Sequence, residues 1–220
     1  MKPLHILVVA GPTREPLDPV RFITNHSTGT MGYALAYTAQ KAGHKVTLIT
    51  GPTHLKHPHG VQTTAVVTAR EMFKAVKLFF ARADCVVMAA AVSDFRPEKY
   101  SASKIKRVNN MSVLKLKKNP DILSWLGRRK GNKLLIGFCM ETSNLLDNAQ
   151  KKMQQKKTDL IVANKINVEQ SAFGAGITTA VIVGPKQQYV EYKNTSKQKF
   201  SRILLEKIEH LWYKRRLLEV

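Results

Sequence analysis

The apolar positions of this chain fall into short unbroken runs, separated by longer stretches with helical spacing. Residues 4–10 (LHILVVA) are apolar almost throughout and stop at a Gly-Pro pair, which predicts a parallel strand buried on both faces. Five more runs predict strands: 45–50 (KVTLIT), 61–67, 84–90 (DCVVMAA), 133–140 and 159–163 (DLIVA). Between the first two, Met31, Leu35 and Ala39 recur every four residues and predict a helix from Gly29 to Ala42, stopped by Gly43. Thr68 with Glu71 three positions on is a capping box, and it opens a helix over 69–83. Asn119-Pro120-Asp121 predicts another helix start, with Asn119 as cap and Pro120 in the first position. Residues 144–157 and 196–218 predict two more helices, and 178–184 with 188–192 a hairpin. Residues 11–27, with three prolines, and the polar, basic stretch 91–118 read as loops.

Strands alternating with helices imply right-handed crossovers. The expected fold is α/β: a Rossmann-like, doubly wound, mostly parallel sheet with a C-terminal β-hairpin extension. No internal repeat, low-complexity tract or composition shift divides the chain, so residues 1–220 read as a single domain.

Composition changes this picture little, and charge changes it more. The chain is 44% hydrophobic, enough for one sizeable core, and its apolar runs are too short to span a bilayer. A cytoplasmic protein with no membrane contact is the expectation. Cys85 and Cys139 sit in separate apolar runs without CxxC spacing and read as reduced core thiols. The net charge of +21 admits either nucleic acid or small polyanions as ligands. No zinc finger, RNA-recognition signature or basic heptad accompanies the cations, so no specific nucleic-acid partner is expected.

In a doubly wound sheet, ligands sit beyond the C-terminal ends of the strands. After the first strand the chain reads AGPTREPLDPVRFITNHSTGTMG, far longer than the tight GxGxxG turn of nicotinamide enzymes. Ser27, Thr28 and Gly29 lead into a helix N-terminus, which favours an anion; a Ser/Thr-capped helix is the structural alternative. After the fourth strand, Ala89, Ala90 and Ala91 leave room for a flat ligand, and Asp94 can accept from ribose or base. Lys104-Ile105-Lys106-Arg107 places cations on the next loop, where they serve either a lid or a solvated surface. After the fifth strand, Phe138 can stack on a base or fill the core, and Lys152 and Lys156 share a helix face.

The order of AGPTREPLDPVRFITNHSTGTMG, AAAVSDFRP, KIKR, KNPDIL, GFCMET and DLIVAN resembles phosphopantothenoylcysteine synthetase over roughly residues 5–192. The likeness is to the bacterial, CTP-dependent type, as a stand-alone ligase without the fused flavin-dependent decarboxylase. That resemblance implies ligation of 4′-phosphopantothenate to L-cysteine through an acyl-cytidylate, with CTP going to CMP and pyrophosphate, in coenzyme A biosynthesis. It implies Mg²⁺ carried with CTP, no flavin, and a homodimer. By the resemblance, Asn25, Arg21 and Lys104 are catalytic, with Asn25, Arg21 and Ala91 holding substrate. The implied nucleotide contacts are Gly11, Ser27, Gly29, Met88, Ala89, Ala90, Asp94, Lys104, Lys117, Lys118, Asn119, Pro120, Phe138, Lys152 and Lys156. Thr30 and Ser93 stand where the family often has Lys and Ala.

Overall fold

The computed structural model describes residues 2–106, 113–141, 143–165, 177–185 and 188–217. Twelve strands and five helices follow one another in the described residues. The strands are β1 (His5–Ala10), β2 (Arg14–Pro16), β3 (Phe22–Thr24), β4 (Lys45–Thr50), β5 (Gln62–Ala65), β6 (Cys85–Met88), β7 (Phe95–Pro97), β8 (Leu116–Lys118), β9 (Leu134–Glu141), β10 (Leu160–Lys165), β11 (Ile177–Val183) and β12 (Tyr189–Ser196). The helices are α1 (Thr30–Lys41), α2 (Ala69–Phe80), α3 (Ile122–Arg129), α4 (Leu145–Lys156) and α5 (Lys197–Leu217).

Eight strands form one sheet in the order β12-β11-β10-β9-β6-β1-β4-β5. The six from β10 to β5 are parallel, and β11 and β12 add to the edge antiparallel. Taken in chain order, the parallel strands lie 3-2-1-4-5-6, so the winding reverses between β1 and β6. This is the expected Rossmann-like sheet, and the C-terminal hairpin is the expected edge extension.

Alternating faces of the central strands feed separate cores. Ile6, Val8, Val87 and Ile136 pack with Leu35 of α1 and Phe200 and Leu204 of α5. Leu7, Val9, Val86 and Leu135 pack on the other face with Met72 of α2 and Leu126 of α3. The near-continuous hydrophobicity of β1 follows from this two-sided cover: Ile6 through Ala10 are 0% exposed.

Three local expectations are corrected. The loop 11–27 contains the hairpin β2–β3, and 91–118 contains the hairpin β7–β8. Both are three-residue pairs rich in Pro and charge, too short for period-two patterning to reveal. The N-cap of α3 is Asp121, whose carboxylate accepts from Ser124 N–H, and not Asn119. The Thr68–Glu71 capping box of α2 is present as read. Arg107, Thr142 and Leu218, which fall in the motifs and helix read above, lie outside the described residues.

Candidate active site

The winding reversal leaves a crevice beyond β1 and β6, and the loops leaving these strands are laced together there. Ala91 N–H donates to Gly11 C=O (3.0 Å), and Thr13 N–H donates back to Ala91 C=O (3.2 Å). Thr13 is fully buried, and its hydroxyl accepts from Ser93 N–H at 3.0 Å. The chain then leaves through β2–β3 and returns at Asn25, whose side-chain amide donates to Ala91 C=O at 3.0 Å. Asn25 therefore stands over the Ala89–Ala91 segment, which is half-buried and open to a ligand.

From Asn25 the chain turns into α1. Its N-cap position is Gly29 at φ 76°, which has no side chain to cap with, while Ser27 Oγ accepts from Gly29 N–H (3.3 Å) and Thr28 Oγ1 from Thr30 N–H (3.5 Å), so Ser/Thr capping is present in part. A Cβ on Gly29 would lie 2.9 Å from Thr53 Cγ2 and 3.1 Å from Gly11 Cα. On Gly32 it would meet Ala10 Cβ at 2.5 Å. The glycines thus let α1 start directly against the end of β1. With Gly29 and Thr30 N–H engaged by Ser27 and Thr28, the amides that follow and the helix dipole favour an anion at this start.

Beyond β6, Asp94 is exposed, and its carbonyl accepts from Asn119 N–H (2.8 Å) at the far end of the β7–β8 hairpin. Asn119 Nδ2 donates to Ser93 C=O at 2.9 Å, while Asn119 Oδ1 accepts from Arg96 at 3.0 Å. Asn119 is therefore a clamp between the hairpin and the β6 loop, not a helix cap. Lys117 and Lys118 are exposed on β8. With Pro120, Arg96, Arg70, Lys74 and Lys77 they line a cleft of about 780 Å³ against α2.

Arg21 and Lys104 come together through the backbone. Arg21 pairs with Asp18, and its Nη2 also donates to Ile105 C=O at 2.9 Å. Asp18 is held well below the usual carboxylate range by Arg21, against the cost of burial, with the Val20, Ile105 and Arg21 N–H groups assisting. Lys104 itself is exposed. Asp18 and Thr13 had no role in the sequence reading, although both lie in its longest quoted block.

The remaining candidates lie beyond β6 and β9. Met88 is buried at 5% exposure, ending β6. Phe138 is half-buried against the α1–α5 core. Lys152 is half-buried on α4, and Lys156 bonds Asp121 and Ser124 at the start of α3. Burial works against ionisation of Asp121, yet the Lys156 ammonium and the Ser124 N–H and hydroxyl hold its pKa below the ordinary value. Both thiols are buried and free. Burial, aided by Glu141 and opposed by Lys152, pushes Cys139 up to about 11, and burial raises Cys85 further, so neither is a nucleophile. Among the described residues, no three His, Cys, Asp or Glu side chains are grouped to hold a metal ion, and no helix is long and apolar enough to cross a membrane.

The profile of the DNA/pantothenate metabolism flavoprotein C-terminal domain matches residues 1–211. The coenzyme A biosynthesis bifunctional protein CoaBC of Bacillus subtilis is 42% identical over 179 residues, which is 81% of this chain and 44% of that protein. The chain thus spans about half the length of the curated relatives it matches. The crystal structure of the C-terminal domain of a CoaBC protein superposes with a TM-score of 0.83 at 36% identity, covering 97% of this chain and 98% of that one. The DNA/pantothenate metabolism flavoprotein of Streptococcus pneumoniae superposes with a TM-score of 0.80 at 29% identity, over 94% and 99% of the two chains. The matched profile and the shared sheet show that this chain belongs to the family of the DNA/pantothenate metabolism flavoprotein C-terminal domain.

Proposed function

We propose that the protein is a phosphopantothenate–cysteine ligase that uses CTP. The observation that supports the reading is the lacing of the two loops: Gly11–Thr13 bound to Ala91, Asn25 donating into the same point, and the glycine-lined α1 start beside it. A carboxylate, a phosphate and a flat base need such a mixture of amide donor, helix N-terminus and small side chains. The names of the relatives place coenzyme A biosynthesis among the activities of this family.

The 4′-phosphopantothenate carboxylate attacks the α-phosphorus of CTP, forming an acyl-cytidylate and expelling pyrophosphate. The cysteine amine then attacks the acyl carbon, and CMP leaves with the bonding electrons. Asn25 donates to negative oxygen as it develops, Arg21 and Lys104 supply positive charge, and the small Ala89–Ala91 segment admits the nucleotide. Mg²⁺ arrives on the triphosphate as part of the substrate, and no flavin is assigned to these residues. A homodimer accords with the apolar surface of the two small hairpins, where Phe22, Phe95 and Leu116 are about half exposed.

Incubation with CTP, phosphopantothenate and cysteine, read by mass spectrometry, tests the reaction. CMP and phosphopantothenoylcysteine in equal amounts are expected; CMP without the product, or neither, overturns the reading. At equal subsaturating concentration, CTP is expected to outpace ATP, because a pocket that pairs the exocyclic groups of a pyrimidine leaves buried atoms unpaired against a purine. Equal rates would remove that preference and leave the ligase intact.

A further inference from the structure

Asp18 sits in a surface loop, yet its side chain is 0% exposed. Its Oδ1 accepts from Val20 N–H (2.9 Å) and Arg21 N–H (2.8 Å). Its Oδ2 accepts from Arg21 Nε (3.0 Å) and Nη2, and from Ile105 N–H (3.1 Å). Four of these bonds stay within its own turn. The last crosses to a segment 87 positions away in sequence. Arg21 completes the crossing from the other side, since its Nη2 donates to Ile105 C=O at 2.9 Å. Both backbone groups of Ile105 are thereby held by one ion pair. Ser101 N–H donates to Leu17 C=O at 3.0 Å and fastens the same segment a turn earlier.

Lys104 lies between these two fastenings and adjoins the residue gripped at both ends. A lysine on an exposed loop has a long flexible stem, so its ammonium is placed no better than its backbone. Charge-assisted bonds are the strong kind, and a buried ionised carboxylate with every bond made is a fixed point. Arg21 keeps 46% of its side-chain surface exposed, so the grip on Ile105 does not remove it from a ligand's reach.

We propose that Asp18 is a positioning residue: through Arg21 and Ile105 it fixes the backbone from which Lys104 reaches the reacting phosphate. The part concerning Lys104 rests on the ligase reading; the part concerning the loop does not. Asp18 need not touch a substrate. Its effect on turnover passes through the cations it places, its partner Arg21 and Lys104.

The test combines amide hydrogen exchange with a double-mutant cycle on the full chain. In Asp18→Asn, one acceptor oxygen becomes a donor facing Arg21 and Ile105. The Ile105 amide should then exchange at least ~10-fold faster while the β1 and β6 amides keep their protection. CMP formation from CTP, phosphopantothenate and cysteine should fall at least ~10-fold in Asp18→Asn and in Lys104→Gln. The double variant should lose clearly less than the product of the two single losses, because the part of the Asp18 effect that acts through Lys104 vanishes once that lysine is gone. The exposed neighbour Lys106→Gln should stay within ~2-fold of wild type, as a control for lost charge. Unchanged exchange at Ile105, or losses that multiply in the double variant, overturns the proposal. If Asp18→Asn fails to fold, Asp18→Glu keeps the charge but displaces the carboxylate by one methylene from Ile105 N–H, and unchanged Ile105 exchange in that folded variant overturns it. A wild-type protein that makes no CMP would refute the ligase reading instead, and the exchange measurement would still decide whether Asp18 holds the loop.

Discussion

Asn25 stands four positions ahead of the α1 N-cap, too early to cap the helix, and one of the two N–H groups of its amide donates to Ala91 C=O. Asn25→Asp keeps the shape and replaces the donor with a carboxylate that repels both that carbonyl and any developing oxyanion. Turnover is expected to fall at least ~10²-fold, the scale for one lost oxyanion donor. If Asn25 only tied the loop to Ala91, Asn25→Asp would lower the melting temperature and leave turnover within a few-fold. Steady-state rates beside thermal melts separate the two. The thiols carry a second residue-scale expectation. Cys139 has its pKa raised from 9.0 to about 11, mainly by burial. Between those values the unfolded chain releases the proton and the native chain keeps it, so stability is full below 9.0 and declines as pH rises towards 11. Urea midpoints measured at pH 8.5 and 10.5 should fall, and fall less in Cys139→Ala. Equal falls in the two proteins would mean that this thiol contributes nothing.

At the scale of elements, α3 depends on Asp121. Its carboxylate caps the helix, and it ties α4 to α3 by accepting from Lys156. Asp121→Ala should cost about 1–2 kcal/mol, the range for a lost cap, read as a shift in the denaturation midpoint. Asn119→Ala should instead loosen the β7–β8 hairpin, because Asn119 bridges Ser93 and Arg96. Exchange of the α3 amides should therefore rise in Asp121→Ala and hold steady in Asn119→Ala; the reverse pattern would restore Asn119 as the cap. In the sequence either residue suits the position, since both are good caps and lie two apart. Only the path of the hairpin shows which one the helix start receives.

For the whole molecule, two small hairpins project from one end of the sheet, with β2 packed beside β7. Val20 (59% exposed), Phe22 (46%), Phe95 (46%) and Leu116 (49%) leave an apolar surface there on a chain of net charge +21. That surface is where the proposed homodimer would form, its apolar burial working against the like charge of the two chains. Light scattering after size exclusion should give twice the chain mass for wild type, and the chain mass for the Phe22→Asp, Leu116→Asp double variant. A wild-type protein that elutes as a monomer at micromolar concentration removes the homodimer.

The apolar runs by themselves determined the sheet. Strands buried on both faces must be hydrophobic throughout, so β1, β4, β6, β9 and β10 announce themselves, and the helical spacing between them makes the sheet parallel. The motif order singles out Asn25, Ala89–Ala91 and the start of α1, which the fold brings together where the winding reverses. The sequence could not place Thr13, Asp18 and Asn119, because their roles are hydrogen bonds to residues 26 to 87 positions away. Such pairings leave no period and no spacing in the chain. They exist only after the winding reverses between β1 and β6 and brings the two loops to the same edge, so that step belonged to the tertiary structure alone.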